Sequence, residues 1–242
     1  MAVASWKRVE AEASRIGARR LQEVAARTSG SEFVWSAPHL EADVGKQPID
    51  TGAMAAMQAV ADERGLAGKI KSLFAGEIVN ASENRPALHW ALRGGGKGLP
   101  VAEAMAREGE KAVAFAKKAA LGGLGFELKT ILHVGIGGSD LGPRLIWDAL
   151  RGYDSKGPQV RFCANVDPED FLEATAGVDA KTTLVLVVSK SFKTPETASN
   201  AKLARAWLAK HLGEKEANNH LAAVSSAPDK AKVISAAICW LW

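Results

Sequence analysis

Two stretches of the chain carry residues whose types and spacing suit them to hold an anion. The first is Val134-Gly135-Ile136-Gly137-Gly138-Ser139-Asp140-Leu141-Gly142-Pro143, which follows a β-branched apolar run and opens a helical pattern. Its glycines let the backbone approach a ligand closely, and the amides at a helix start favour negative charge. The second is Ser189-Lys190-Ser191-Phe192-Lys193-Thr194-Pro195-Glu196-Thr197, again directly after an apolar run. Thr194 fits an N-cap, Pro195 the first helical position and Glu196 the first turn. Ser189, Ser191, Thr194 and Thr197 supply neutral donors and Lys190 a compact charge, a set able to hold a phosphate without burying several cations together. Either stretch alone is also what ordinary capping and turn chemistry looks like. Their occurrence together, at comparable places, favours a ligand.

Two better-known glycine patterns are excluded. Gly94-Gly95-Gly96-Lys97-Gly98 departs from the phosphate-loop template, because Ala91 stands at the first glycine, Gly98 at the Ser/Thr, and a helical pattern precedes it. A turn between helices is the simpler reading. Gly135 and Gly137 satisfy the first two places of a dinucleotide fingerprint, but Asp140 holds the third, where a carboxylate repels pyrophosphate unless it points away. A nicotinamide dehydrogenase is therefore a poor reading.

The elements that must position these turns follow from periodicity. Apolar, β-branched runs at 131–134, 159–166, 182–188 and 221–224 alternate with helical patterns, which implies βαβ units and a parallel sheet with right-handed crossovers. Leu184-Val185-Leu186-Val187-Val188 lacks polar alternation and reads as a central strand covered on both faces. Both turns would then lie at the carboxyl ends of strands, where open α/β sheets take their ligands. Residues 1–122 read as an all-helical region: an amphipathic helix over 5–27, a Ser/Pro/Gly-bearing loop over 28–47, a helix opened by Asp50-Thr51 and ended by Gly65, and helical patterns at 66–74, 86–92 and 100–120. His133 reads as a core residue. A last helical pattern covers 228–237, before the apolar tail Ile238-Cys239-Trp240-Leu241-Trp242.

Composition bounds the rest. The 242 residues, 47% hydrophobic and 24% charged, belong to a folding chain, and at about 150 residues per domain they make one and a half ordinary domains. A net charge of +4 without a dense basic stripe suits a small anionic ligand and gives no reason to expect nucleic acid. Cys163 and Cys239 have neither zinc-site nor disulfide-scaffold spacing, so a reducing compartment is expected and no metal. No apolar run approaches the roughly 18 residues of a membrane span. Lys7, Arg8, Glu10 and Glu12 occupy the place of a signal peptide's apolar stretch, so the expectation is a cytoplasmic protein.

The residues of both turns carry a resemblance. The segment 134–143 resembles the G-I-G-G-S-x-L-G-P signature of the glucose-6-phosphate isomerase family, and 189–197 its S-K-T-F-x-T-x-E-T segment. The segment 83–93 is similar to the family's R-x-x-L-H-x-A-L-R stretch, and Asn165-Val166-Asp167 to its S-N-[IV]-D strand end. The matches run along the chain in order. They imply a sugar isomerase (SIS) domain, here 123–237, of three αβα layers around a parallel sheet, with a phosphorylated hexose as ligand and no cofactor. Carried over by position, Ser189, Ser191 and Thr194 correspond to phosphate-holding hydroxyls, and Gly138, Ser139 and Lys190 to substrate contacts. Glu83, Arg85 and His89 match signature positions taken as structural. Ser191 replaces the usual threonine and keeps the hydroxyl; Pro195 replaces a commonly polar residue.

The family moves a proton between C2 and C1 of the opened sugar, with a carboxylate base, a His or Lys for ring opening and an Arg for the enediolate. The motifs that supply these residues, and the family's second SIS domain, are not found in this sequence. The expectation is a truncated chain that keeps phosphate binding and lacks the catalytic base, homodimeric if full length. The alternative is a stand-alone SIS module that reads a phosphosugar and reports to a partner. A ligand-dependent change of oligomeric state would favour the second.

Overall fold

A computed structural model describes residues 4–17, 22–23, 33–96, 98–99, 101–153, 157–231 and 237–239. The chain forms two compact units, Met1–Gly96 and Lys97–Trp242.

In the first unit, α1 (Trp6–Gly17) and α2 (Thr51–Glu63) are joined by charged groups at both ends of α2. Asp50 caps α2, its Oδ1 accepting from the Ala53 amide at 3.1 Å, and takes the Arg15 guanidinium at 2.8 Å. At the far end, the Glu63 carboxylate accepts from the amides of Ala4 and Ser5 at 2.9 and 2.8 Å, and the bonds from Ser5 hold its pKa below the ordinary value. Gly65, at φ 64°, breaks α2 from α3 (Leu66–Phe74) as the sequence predicts.

The region is not all-helical. Residues 34–43, expected as loop, form an antiparallel hairpin of β1 (Val34–Ala37) and β2 (Leu40–Asp43), with Ala37 paired to Leu40. Both strands are largely exposed and only four residues long, so the brief alternation of Leu40-Glu41-Ala42-Asp43 is a weak signal, and the turn is made by Pro38 and by His39 at φ 63° rather than by glycine. The pattern at 86–92 yields only a 3-10 turn, His89–Arg93, because the chain before it is committed to a tight bend closed by the Asn80–Arg85 bridge. Residues 18–21 and 24–27 of the expected first helix, and Lys97 of the glycine-rich turn, lie outside the described residues.

The second unit begins with α4 (Ala102–Ala120) and continues as a βαβ series. Its elements are β3 (Thr130–Val134), α5 (Gly138–Leu150), β4 (Gln159–Cys163), α6 (Pro168–Thr175), β5 (Thr183–Val188), α7 (Pro195–Leu212), the short α8 (Glu214–Ala217), β6 (Leu221–Val224), the short α9 (Pro228–Ala231) and β7 (Ala237–Cys239). All five strands are parallel, in the order β4-β3-β5-β6-β7. The chain therefore leaves β3 to one side, then crosses back over it to continue on the other, and right-handed crossovers put α5 on one face and α6 and α7 on the opposite one. Leu132, Val134, Val185, Val187 and Leu221 from the central strands pack with Phe171, Ala201, Ala204 and Leu208 of the helices in one buried cluster. Each large aliphatic side chain so removed from water contributes about 1.5–3 kcal/mol.

Two sequence-based boundaries shift. The strand expected over 159–166 ends at Cys163, because the Asp170 carboxylate takes the amides of Ala164 and Asn165 at 2.8 and 2.9 Å and turns the chain out of the ladder. At the other end of the unit, Ala237, Ile238 and Cys239 form β7, paired with β6 at the sheet edge, where the sequence suggests the end of a helix and the start of an apolar tail. Residues 232–236 and 240–242 lie outside the described residues.

Candidate functional site

The change in winding sense at β3, whose next strand β4 lies on one side and β5 on the other, brings the two predicted turns side by side. Val134 is in register with Val187, so both turns leave the same sheet edge from neighbouring strands, about 5 Å apart at their base. They then part: the Gly135 amide donates to the Cys163 carbonyl of β4 at 3.3 Å, whereas the Ser189 amide donates to Val224 of β6 at 3.0 Å. The two turns therefore flank the switch point, and it is in the crevice at such a switch point that doubly wound sheets bind their ligands.

The first turn is closely built. A Cβ at Gly135 would stand 2.9 Å from the Ser139 carbonyl oxygen, and Gly137 adopts φ 59°, ψ −123°, a conformation that only glycine adopts easily. Gly137 and Gly138 are exposed, and a Cβ at Gly138 would meet only open space. Ser139 is half-buried. Asp140, which spoils the dinucleotide fingerprint, points away from the crevice: it is 4% exposed and held by both Nε and Nη2 of Arg144, at 3.1 and 2.9 Å. Arg144 in turn lies over the Phe162 ring, 4.4 Å from its centre. The carboxylate's charge is thus answered within its own helix. His133 is the core residue that was expected, but not an inert one, since its Nε2 lies 2.8 Å from the Ser139 carbonyl. Burial lowers its pKa, against the opposing pull of that carbonyl and of Asp140, and the neutral ring donates from Nε2.

In the second turn Ser189 is buried and its Oγ accepts from the Phe192 amide at 3.2 Å, which fixes Phe192 at φ 49°. The hydroxyl keeps its own proton to donate. Lys190 is exposed, and its carbonyl is held by Ser225 Oγ, Ser226 Oγ and the Ser226 amide at 3.2, 2.7 and 3.0 Å. Ser191 and Thr194 are half-buried. Thr194 occupies the N-cap of α7, as its position predicts, yet its side chain makes no cap bond. Thr197, whose hydroxyl was grouped with these, is buried in the helix.

Sequence reasoning missed the groups that hold the turns. Besides Arg144, these are Ser225 and Ser226 behind Lys190, and Asn200 on α7, whose Nδ2 donates to the Asn165 carbonyl at 2.6 Å and so ties α7 to the end of β4. Ser225-Ser226 follows a predicted strand and was available as a signal; the other links depend on which strands are neighbours. Cys163, buried beside Asp170, has its thiol pKa pushed up to about 12, chiefly by burial. It is a packing residue rather than a nucleophile.

A parallel sheet of this order, with two glycine- and hydroxyl-rich turns flanking its switch point, defines a doubly wound α/β protein. Comparison with known proteins narrows the class. The Phosphoglucose isomerase family model matches residues 43–236, and the chain belongs to that family. It is 42% identical over 239 residues to glucose-6-phosphate isomerase of Caulobacter vibrioides (strain NA1000 / CB15N), a match covering 94% of this chain and 44% of the relative. With the enzyme of Corynebacterium glutamicum (strain R) the identity is 37% over 237 residues, covering 93% and 44%. The crystal structure of a glucose-6-phosphate isomerase from Chlamydia trachomatis superimposes with a TM-score of 0.77 at 27% identity, over 99% of this chain and 48% of that one. The chain spans less than half the length of the curated relatives it matches.

Proposed function

We propose that the chain binds the phosphate of glucose 6-phosphate or fructose 6-phosphate in the crevice between the β3 and β5 turns, as the phosphate-binding portion of a glucose-6-phosphate isomerase. The carrying observation is that two helix starts following adjacent strands, those of α5 and α7, have no side-chain cap of their own and begin at the same edge of the sheet. A phosphate dianion supplies the missing acceptor to both. Ser189, Ser191 and Thr194 hold the phosphate oxygens, Lys190 adds the positive charge, and Gly138 and Ser139 leave room for the sugar beside the first turn. Residues 123–237 are the SIS domain in this reading and residues 1–122 the N-terminal region before it, of which 97–122 belong to the same compact unit as the sheet, and the compartment is the cytoplasm. Aldose–ketose interconversion of glycolysis and gluconeogenesis is the reaction of the whole enzyme. The Arg, Glu, His and Lys that the family resemblance assigns to proton transfer have no counterpart here, so this chain alone binds without turning over.

Calorimetric titration with fructose 6-phosphate tests the binding. The double change Ser189→Ala, Thr194→Ala removes two hydroxyl donors and weakens binding by about 2 kcal/mol, at about 1 kcal/mol per hydrogen bond. Equal affinity of the two proteins, or turnover of fructose 6-phosphate by the purified chain in a coupled assay, counts against the assignment.

A further inference from the structure

Pro143 lies inside α5 and has no N–H, so the Ser139 carbonyl lacks the donor that an uninterrupted helix supplies four residues on, and the proline ring crowds that same carbonyl. His133 reaches it from β3, with Nε2 at 2.8 Å. The contact passes directly over Gly135, where a Cβ would stand 3.2 Å from His133 Nε2 and 2.9 Å from the Ser139 oxygen. The imidazole is 3% exposed and packs against the Phe162 ring at 5.2 Å, beneath the Arg144 guanidinium that binds Asp140. The first turn of α5 is therefore gripped on both sides of one residue pair: Ser139 through its carbonyl from β3, and Asp140 through its carboxylate from the next turn of the helix.

We propose that His133 is a positioning residue of the phosphosugar crevice: by donating to the carbonyl that Pro143 leaves without an amide, it fixes the Ser139 peptide and with it the Gly138–Ser139 surface presented to the ligand. The assignment to the crevice rests on the phosphosugar reading above; the hydrogen-bond substitution itself does not. A side chain that merely fills volume at position 133 has no reason to interact with residue 143. The proposal makes those two positions, on different elements, mutually compensating.

The full chain is compared with His133→Leu, which fills space without a donor, with His133→Gln, whose Nε2 reaches as far as the imidazole's, and with His133→Leu combined with Pro143→Ala, which returns an amide at position 143. Amide hydrogen exchange across residues 138–142 of the ligand-free protein reads the grip, and titration with fructose 6-phosphate reads its use. His133→Leu speeds the exchange of these amides and weakens the phosphosugar, each about fivefold, the factor that corresponds to losing one hydrogen bond. His133→Gln and the double variant recover both to within about twofold. Should His133→Leu not fold, His133→Asn, whose amide falls short of Ser139, takes its place in the same comparison. Unchanged exchange in the donor-less variant, or a double variant that exchanges like it, overturns the proposal. If exchange behaves as expected and the parent chain binds phosphosugar but His133→Leu binds equally well, the positioning role is wrong and the phosphosugar reading stands. Absence of binding by the parent chain itself removes the crevice reading and the positioning role with it, and leaves the exchange pattern as evidence of a purely structural contact.

Discussion

Helices α5 and α7 begin alike and are held differently. Each follows a central strand through a short turn, glycine-rich before α5 and hydroxyl-rich before α7, and each starts without a side-chain cap bond. α7 is anchored along its length: Thr197, Asn200, Ala201, Ala204 and Leu208 are buried against the sheet and its neighbours. In α5 the buried residue is Asp140, in the first turn, while Leu141, Leu145, Ile146 and Leu150 all stand exposed. Two helices that both start without a side-chain cap thus differ in what fixes them. α7 is positioned by hydrophobic burial, which is strong and non-directional. α5 is positioned at its start by a few polar contacts, which are weaker one by one but set the orientation of a peptide. It is the polar arrangement that borders the glycine turn.

The most direct way to break this comparison is truncation of an aliphatic residue on each helix. Leu208→Ala removes a side chain with no exposure and lowers unfolding stability by about 2–5 kcal/mol. Leu145→Ala removes one that is 69% exposed and changes stability by less than about 0.5 kcal/mol. Urea denaturation measures both. Comparable losses would mean that α5 is seated on the sheet as firmly as α7.

The polar side of the contrast is sharpened by the glycines. Gly135→Ala forces a methyl against the Ser139 carbonyl, 2.9 Å away, and the cost is that of an overpacked core, about 1–3 kcal/mol. Gly138→Ala, three residues further along the turn, meets nothing within 4 Å and leaves stability unchanged or slightly improved, by up to about 1 kcal/mol as glycine gives way to alanine in a helix. Its effect falls on the ligand. If both substitutions destabilise equally, the tight approach at Gly135 is not what holds the turn.

These contacts also mark the limit of what the residue order reveals. The four strands of the sheet's core were legible because each is a short β-branched run between turn residues, and β6 falls on the predicted limits, Leu221–Val224. Both turns were legible for the same reason, and so was the start of α7 from Thr194-Pro195-Glu196. The β1–β2 hairpin was not, because its strands are only four residues long, largely exposed, and joined by Pro38-His39 without the glycine that marks a tight turn. Nor were the pairings of His133 with Ser139, of Asn200 with Asn165 and of Lys190 with Ser225 and Ser226. Each of the last two joins residues 35 or more apart and exists only because β4, β3, β5 and β6 lie in that spatial order. Local pattern fixes an element's type; the partners of its ends follow from the topology.

A pH titration isolates the His133 contribution. Its folded pKa lies below the model-peptide value of about 6.5, because burial penalises the imidazolium more than the Ser139 carbonyl and Asp140 favour it, with Arg144 adding to the penalty. Below pH about 6.5 the unfolded chain therefore takes up a proton that the folded chain refuses, and stability falls with pH until the lower folded pKa is passed. His133→Gln keeps the donor and has nothing to titrate, so its urea midpoint loses that part of the acid slope. An identical slope in both proteins would place the histidine's environment elsewhere than between β3 and α5.

The smallest expected effect is the one that separates holding a helix from holding a ligand. An N-cap threonine ordinarily contributes about 1 kcal/mol through its hydrogen bond to the helix, yet Thr194 occupies that position with no such bond. Thr194→Ala therefore costs less than about 0.5 kcal/mol of stability, below the usual price of losing a cap. The hydroxyl that α7 does not use remains for an acceptor in the crevice, so the same substitution weakens phosphosugar binding by about 1 kcal/mol, near fivefold. A large loss of stability with unchanged affinity would reverse the assignment and make Thr194 an ordinary cap. The reverse result, loss of affinity in a protein as stable as its parent, identifies the uncapped start of α7 as a place that the fold leaves for the ligand to complete.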